Sequence, residues 1–222
     1  MAKKNIQEEV IGIDAELRKS EAFIQKNLKT ILIALVAVIV VVAGVFIYQN
    51  HMNDVEAEAQ VAISKSQSLF YQEQYETALN GDGASSKGFI KIISDYSGTK
   101  TANLANLYAG LSYYKLEKYD EAINYLESFS TKGDNSISPA AVAALGNCYI
   151  QKDNKEKGAE KLLKAASMAE NSLSPIFILQ AAEVYENIGQ KDKALNLYNE
   201  IKNDYPTSPI AQNIDKYIER VK

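Results

Sequence analysis

Residues 106–126 read NLYAGLSYYKLEKYDEAINYL, and this stretch returns in altered form every 36 positions. Tyr113 is followed at that interval by Tyr149 and Tyr185, Gly110 by Gly146 and Ala182, Ala122 by Gly158 and Ala194, and Leu126 by Leu162 and Tyr198. Four positions holding one register through three units define a repeat architecture, in which each unit buries its apolar face only against its neighbours. Such a stack presents a surface more readily than it assembles a catalytic centre, so the expectation moves from chemistry to binding.

Within each unit the residues keep a fixed order. The first unit has Asn106, the pair Ala109-Gly110, Tyr113, then Ala122 and Leu126. The second has Val142, Leu145-Gly146, Tyr149, then Gly158 and Leu162, and the third has Ile178, Ala181-Ala182, Tyr185, then Ala194 and Tyr198, ending at Pro206. This order resembles the tetratricopeptide repeat over about Ser85 to Lys222, with a period of 36 instead of about 34 and no tryptophan at the fourth position. The resemblance implies an all-α solenoid of paired helices. Small residues let the helices of a pair approach, and large ones fill the space between them. Ser138-Pro139, Ser174-Pro175 and Ser208-Pro209 read as serine caps followed by proline at the first helical position. Upstream, Phe89, Ile92 and Asp95-Tyr96 echo Tyr198, Ile201 and Asp204-Tyr205, which places a half-unit before Thr101 whose partner is the end of the post-membrane helix, a helix that lacks the small pair. A last helix over roughly 209–221, polar through Asp215, Lys216, Glu219, Arg220 and Lys222, caps the stack.

Before the repeats, Thr30 to Tyr48 reads TILIALVAVIVVVAGVFIY without a charge. As a helix it is roughly 28 Å long, close to the ~30 Å hydrocarbon core of a bilayer. A transmembrane span over 30–49 is expected. Ala57-Glu58-Ala59 has the look of a signal-peptidase site but lies well beyond a run too long for a signal peptide. Arg18, Lys19, Lys26 and Lys29 precede the run, and the next basic residue is Lys65. The positive-inside rule then puts the N-terminus in the cytoplasm and the repeats on the far side, the periplasm of a bacterial inner membrane. In the 1–29 segment, Ile6, Val10, Ile13, Leu17 and Ile24 fall on one helical face, a candidate docking face for a membrane partner. Residues 50–83 read as a long membrane-proximal helix, uninterrupted over Asp54–Leu79 and stopped by Asn80-Gly81-Asp82-Gly83, with the repeat domain over 84–222.

Chemistry-bearing patterns are sparse. The net charge is −4, and lysine outnumbers arginine 22 to 2, which disfavours a general nucleic-acid binder. One histidine (His51) and one cysteine (Cys148) build no zinc site by themselves, and Cys148 reads as a small buried apolar residue. Gly83 to Gly88 has the spacing of a phosphate loop, but Phe89 stands where lysine is required. No catalytic residue, cofactor or metal ligand is assigned.

The tetratricopeptide resemblance implies a concave face lined by the first helices. Its candidate partner-binding residues are Leu104, Leu107, Leu111, Tyr114, Asn147, Ile150, Leu179, Glu183 and Glu186. The bland reading makes Leu104, Leu107 and Leu111 core, covered by the membrane-proximal helix. The whole layout is similar to the YfgM-type family of single-span periplasmic repeat proteins. The similarity is carried by Arg18-Lys19 and Lys26, Gly88-Phe89, Asp95-Tyr96, Thr99 to Gly110 and Tyr119 to Leu126. That family implies a non-catalytic ancillary subunit of the Sec translocon, with channel subunits, a periplasmic chaperone and secreted client polypeptides as partners. The alternative is a periplasmic scaffold for envelope or outer-membrane protein assembly without translocon contact.

Overall fold

The computed structural model describes the backbone of residues 2–170 and 172–222, with side chains at Arg18, 21–170 and 172–222. It is built of helices, with no strand among the described residues. In chain order these are α1 (Ala2–Tyr71), α2 (Tyr75–Asn80), α3 (Phe89–Asp95), α4 (Lys100–Lys115), α5 (Tyr119–Ser128), α6 (Ile137–Gln151), α7 (Lys155–Met168), α8 (Ser174–Asn187), α9 (Lys191–Asp204), a short 3₁₀ turn (Ala211–Asn213) and α10 (Ile214–Val221). Residues up to Asp54 form one unit and Val55–Lys222 another.

In the first unit, one helix is long and apolar enough to cross a membrane, and its apolar window is unburied throughout. Ile33 is 71% exposed and Phe46 69%. Of the expected docking face, the side chains of Ile6, Val10, Ile13 and Leu17 lie outside the described residues, and Ile24 is exposed.

The second unit is a stack of helix pairs. The pairs α4/α5, α6/α7 and α8/α9 follow the three units read from the sequence. The half-unit before Thr101 is a full fourth pair. Its first helix is the end of α1, and its second is divided into α2 and α3. The expected unbroken helix over 54–79 therefore does not form. The chain turns at Glu73, which has φ 63°, and the same left-handed residue recurs at Glu117, Asp153 and Gly189. At each turn the amide three residues after the helix end donates back to a carbonyl five positions earlier. These bonds run from Gln74 to Leu69, Lys118 to Tyr113, Asn154 to Tyr149 and Gln190 to Tyr185, at 2.9–3.0 Å. They close the last turn of each first helix with a left-handed C-terminal residue. The ladder tyrosines thus mark where α4, α6 and α8 stop, and Leu69 holds the same place in α1.

The fourth pair escaped the 36-residue register because of an insertion. Ala78 matches Ala122, yet Phe89, which matches Leu126, comes eleven positions later instead of four. The extra residues form a loop pinched at Gly81 and Gly88. A Cβ on Gly88 would stand 2.3 Å from the Gly81 nitrogen, and one on Gly81 2.4 Å from the Ser86 carbonyl oxygen, both at positive φ. Only glycine allows that approach. Ser66 occupies the small position of this unit: it is fully buried and shares a 2.9 Å hydrogen bond with the hydroxyl of Ser86.

The expected serine caps are corrected. Ser138 lies inside the first turn of α6, and Asp134 caps instead, accepting from the amides of Ser136, Ile137 and Ser138. Ser174 begins α8, but its hydroxyl donates back to the Ala166 carbonyl of α7. Ser208 accepts from the Ile210 amide at 3.3 Å, and the helix expected from 209 is a 3₁₀ turn followed by α10. The side chain that does cap in the expected way is Thr99, which accepts from the Ala102 amide at 2.9 Å. It has no proline after it to advertise it.

Three apolar clusters run through the stack. The first joins the end of α1 to α2, α3 and α4 around Ile63, Leu79, Phe89 and Ile92. A second joins α4, α5 and α6 around Leu107, Leu126 and Leu145, and the third joins α6 through α10 around Leu162, Ile178, Tyr198 and Ile218. The joint between α1 and α4 carries a polar lock as well. Glu56 accepts from the Thr101 hydroxyl at 2.7 Å and the Thr101 amide at 3.2 Å, supplying a carboxylate to the start of α4.

Candidate functional site

The first helices α4, α6 and α8 carry the residues expected on the concave face. Leu107 is corrected to core: it is 7% exposed and packs with Ala141, Leu145 and Cys148 of α6. Leu104 is half-buried and packs on two clusters, the one that joins the end of α1 to α2, α3 and α4 and the one that joins α4, α5 and α6. Leu111 and Tyr114 are half-buried against the α4–α6 cluster. Leu107 and Leu111 thus belong to the α4–α6 cluster, and of the three leucines Leu104 also packs on the cluster that the end of α1 joins.

Further along, Asn147, Ile150, Leu179, Glu183 and Glu186 are all half-buried. Ile150 and Leu179 pack on the third cluster, leaving part of each side chain to solvent. Beside them, Lys115, Gln151 and Asn187 end the three helices and are exposed. The apolar part of the face is thus shallow, with Leu111, Tyr114 and Ile150 as a strip on α4 and α6 and Leu179 on α8.

Glu186 has a structural partner. Arg220 of α10 places Nε 2.6 Å from Oε1 and Nη2 2.8 Å from Oε2, while the Tyr198 hydroxyl donates to Oε2 at 2.7 Å. Arg220 also lies over the Tyr217 ring, 4.9 Å from its centroid. The hydrogen bond from Arg220 lowers the Glu186 carboxyl, and burial raises the Tyr198 phenol together with that carboxylate. Glu183, one turn earlier, accepts no hydrogen bond among the described residues. Burial raises its carboxyl above the ordinary value; Arg220 counteracts this in part, and Glu186 adds to it.

The tyrosine ladder lies between helices and takes no part in the open strip. Tyr113 stacks on Tyr125, with centroids 5.4 Å apart. Tyr149 donates to Glu127 at 2.7 Å and carries the Lys157 ammonium 3.8 Å from its ring centroid. Tyr185 carries Lys193 in the same way at 4.8 Å. Cys148 is fully buried, and burial pushes its thiol up to about 11, the setting of an inert packing residue.

The helix pairs, their left-handed turns and the half-open first-helix face define a repeat scaffold for protein–protein interaction. A family model described as a tetratricopeptide repeat-like domain matches residues 21–201, and the chain belongs to that family. The match takes in the charge-free run as well as all four helix pairs up to α9. No curated protein matches the chain at a significant level.

Proposed function

We propose that the chain is a non-catalytic interaction protein anchored by one span over 30–49, with residues 1–29 in the cytoplasm and the repeats, reached through the 50–83 segment, in the periplasm. Its proposed role is that of an ancillary Sec translocon subunit, binding the channel, a periplasmic chaperone or both, and handing on secreted clients. The observation that carries the reading is the joining of two features in one family match. Residues 21–201 include both a fully exposed apolar helix and a repeat stack with a half-open face. The lysines and arginines clustered just before the apolar run, and their scarcity after it, support the orientation.

Two surfaces are assigned separate work. The Ile6–Ile24 face docks on channel subunits, and the strip of Leu111, Tyr114 and Ile150 receives client or chaperone segments. Deleting residues 1–25, or changing Ile13 and Leu17 to Glu, should weaken recovery of channel subunits from gentle-detergent purification at unchanged membrane insertion. Unaltered recovery in both variants removes the translocon contact. Recovery of envelope-assembly factors without channel subunits assigns the scaffold role in its place.

A further inference from the structure

The half-open face has a charge polarity. At the α4 end, Lys115 is exposed and takes part in no ion pair among the described residues. At the α8 end, Glu186 is satisfied by Arg220 and Tyr198, which leaves Glu183 as a half-buried carboxylate without a donor. Between them lie Leu111, Tyr114 and Ile150, with the amides of Asn147 and Gln151 beside them.

A half-buried carboxylate without a hydrogen-bond donor has lost part of its hydration, and the nearby charge of Arg220 returns only part of that cost, so a cation placed there recovers more of it. Lys115 offers the opposite charge to the other end. Neighbouring first helices pack about 8–10 Å apart, so α4 to α8 is roughly 20 Å, the reach of about six to seven extended residues at ~3.3 Å each. Resting on the groove reading above, we infer that the face takes an extended segment of about seven residues. It carries an acidic side chain over Lys115, apolar side chains over Leu111, Tyr114 and Ile150, and a basic side chain at Glu183. The amides of Asn147 and Gln151 suit its backbone, since an amide both donates and accepts. The terminal charges set register and direction, and the apolar strip supplies most of the affinity.

The test uses the full chain in detergent micelles and three fluorescent heptapeptides. One is Asp-Ala-Leu-Ser-Leu-Ala-Lys, and the others carry Lys at both ends or Asp at both ends. Anisotropy at low salt should show the mixed peptide bound about threefold to tenfold tighter than either of the others, the range expected of partly exposed charge pairs. Glu183→Lys, whose long stem keeps the ammonium in solvent, should move the preference to the peptide acidic at both ends. Lys115→Glu should move it to the one basic at both ends. Equal affinities, an order unmoved by Glu183→Lys, or no binding at all overturns the inference. Equal affinities that vanish in a folded Leu111→Asp variant overturn the polarity while leaving the groove as a binding surface.

Discussion

Asp134 shows what a single residue decides in this chain. Hydrogen bonds from the Ser138 hydroxyl and amide hold its carboxyl down at about 2, with the amides of Ser136 and Ile137 adding to the effect. A carboxyl depressed on folding stabilises the protein above its unfolded value near 4, and that contribution is lost as pH falls through about 2. Asp134→Asn should therefore lower the melting temperature at neutral pH and show a smaller fall between pH 4 and pH 2 than the parent. Parallel acid slopes for the two proteins would sink this assignment. Nothing in the sequence singled out Asp134 over Ser136 or Ser138, because all three are good capping residues and the choice depends on where the turn closes. The left-handed positions were similarly hidden. Gly189 is a natural left-handed residue, but Glu73, Glu117 and Asp153 hold the same conformation with β-carbons, at a cost of roughly 1–2 kcal/mol each.

At the scale of the element, the tightest crossing is α6 on α7. A Cβ on Gly146 would meet the Gly158 carbonyl oxygen at 2.9 Å, and one on Gly158 would meet the Ile150 Cγ1 at 2.4 Å. The two glycines thus face each other where the other units use a glycine and an alanine, two alanines, or a serine (Ser66) and an alanine (Ala78). Because Ile150 fills the space on one side, Gly158→Ala should cost about 1–3 kcal/mol by overpacking, against a gain of about 1 kcal/mol in helix propensity. Denaturant unfolding measures the sum. A paired Ile150→Val change should recover part of the loss, and no recovery would mean that backbone, not Ile150, sets the limit. The small-residue register was legible at this pair because close approach leaves a mark on composition. The insertion between α2 and α3 was not, since seven extra residues put Ala78 and the positions before it out of phase with the later units while leaving the packing intact.

Across the whole molecule, each pair touches mainly its neighbours. Lys118 lies 3.6 Å from Glu76 of the preceding pair, Lys193 lies 3.1 Å from Glu156, and Lys152 pairs with Asp120. Such exposed pairs contribute about 0–1 kcal/mol each, so the buried clusters hold the stack. In a quasi-one-dimensional array, a local loss stays local. Arg220→Ala removes the tie between α10 and Glu186 and should raise amide exchange in α10 and late α9, while α4 and α5 keep their protection. Uniform loss across all pairs would show instead that the array unfolds as one unit. The sequence by itself determined the helical class, the repeat, the apolar run and the positions of close packing, because periodicity and residue size act locally. Only the tertiary structure decided that the second helix of the first pair divides into α2 and α3, that Leu107 is core and that Glu186 belongs to Arg220 while Glu183 has no donor among the described residues. Each of those depends on which distant residue arrives alongside, and spacing along the chain does not encode that.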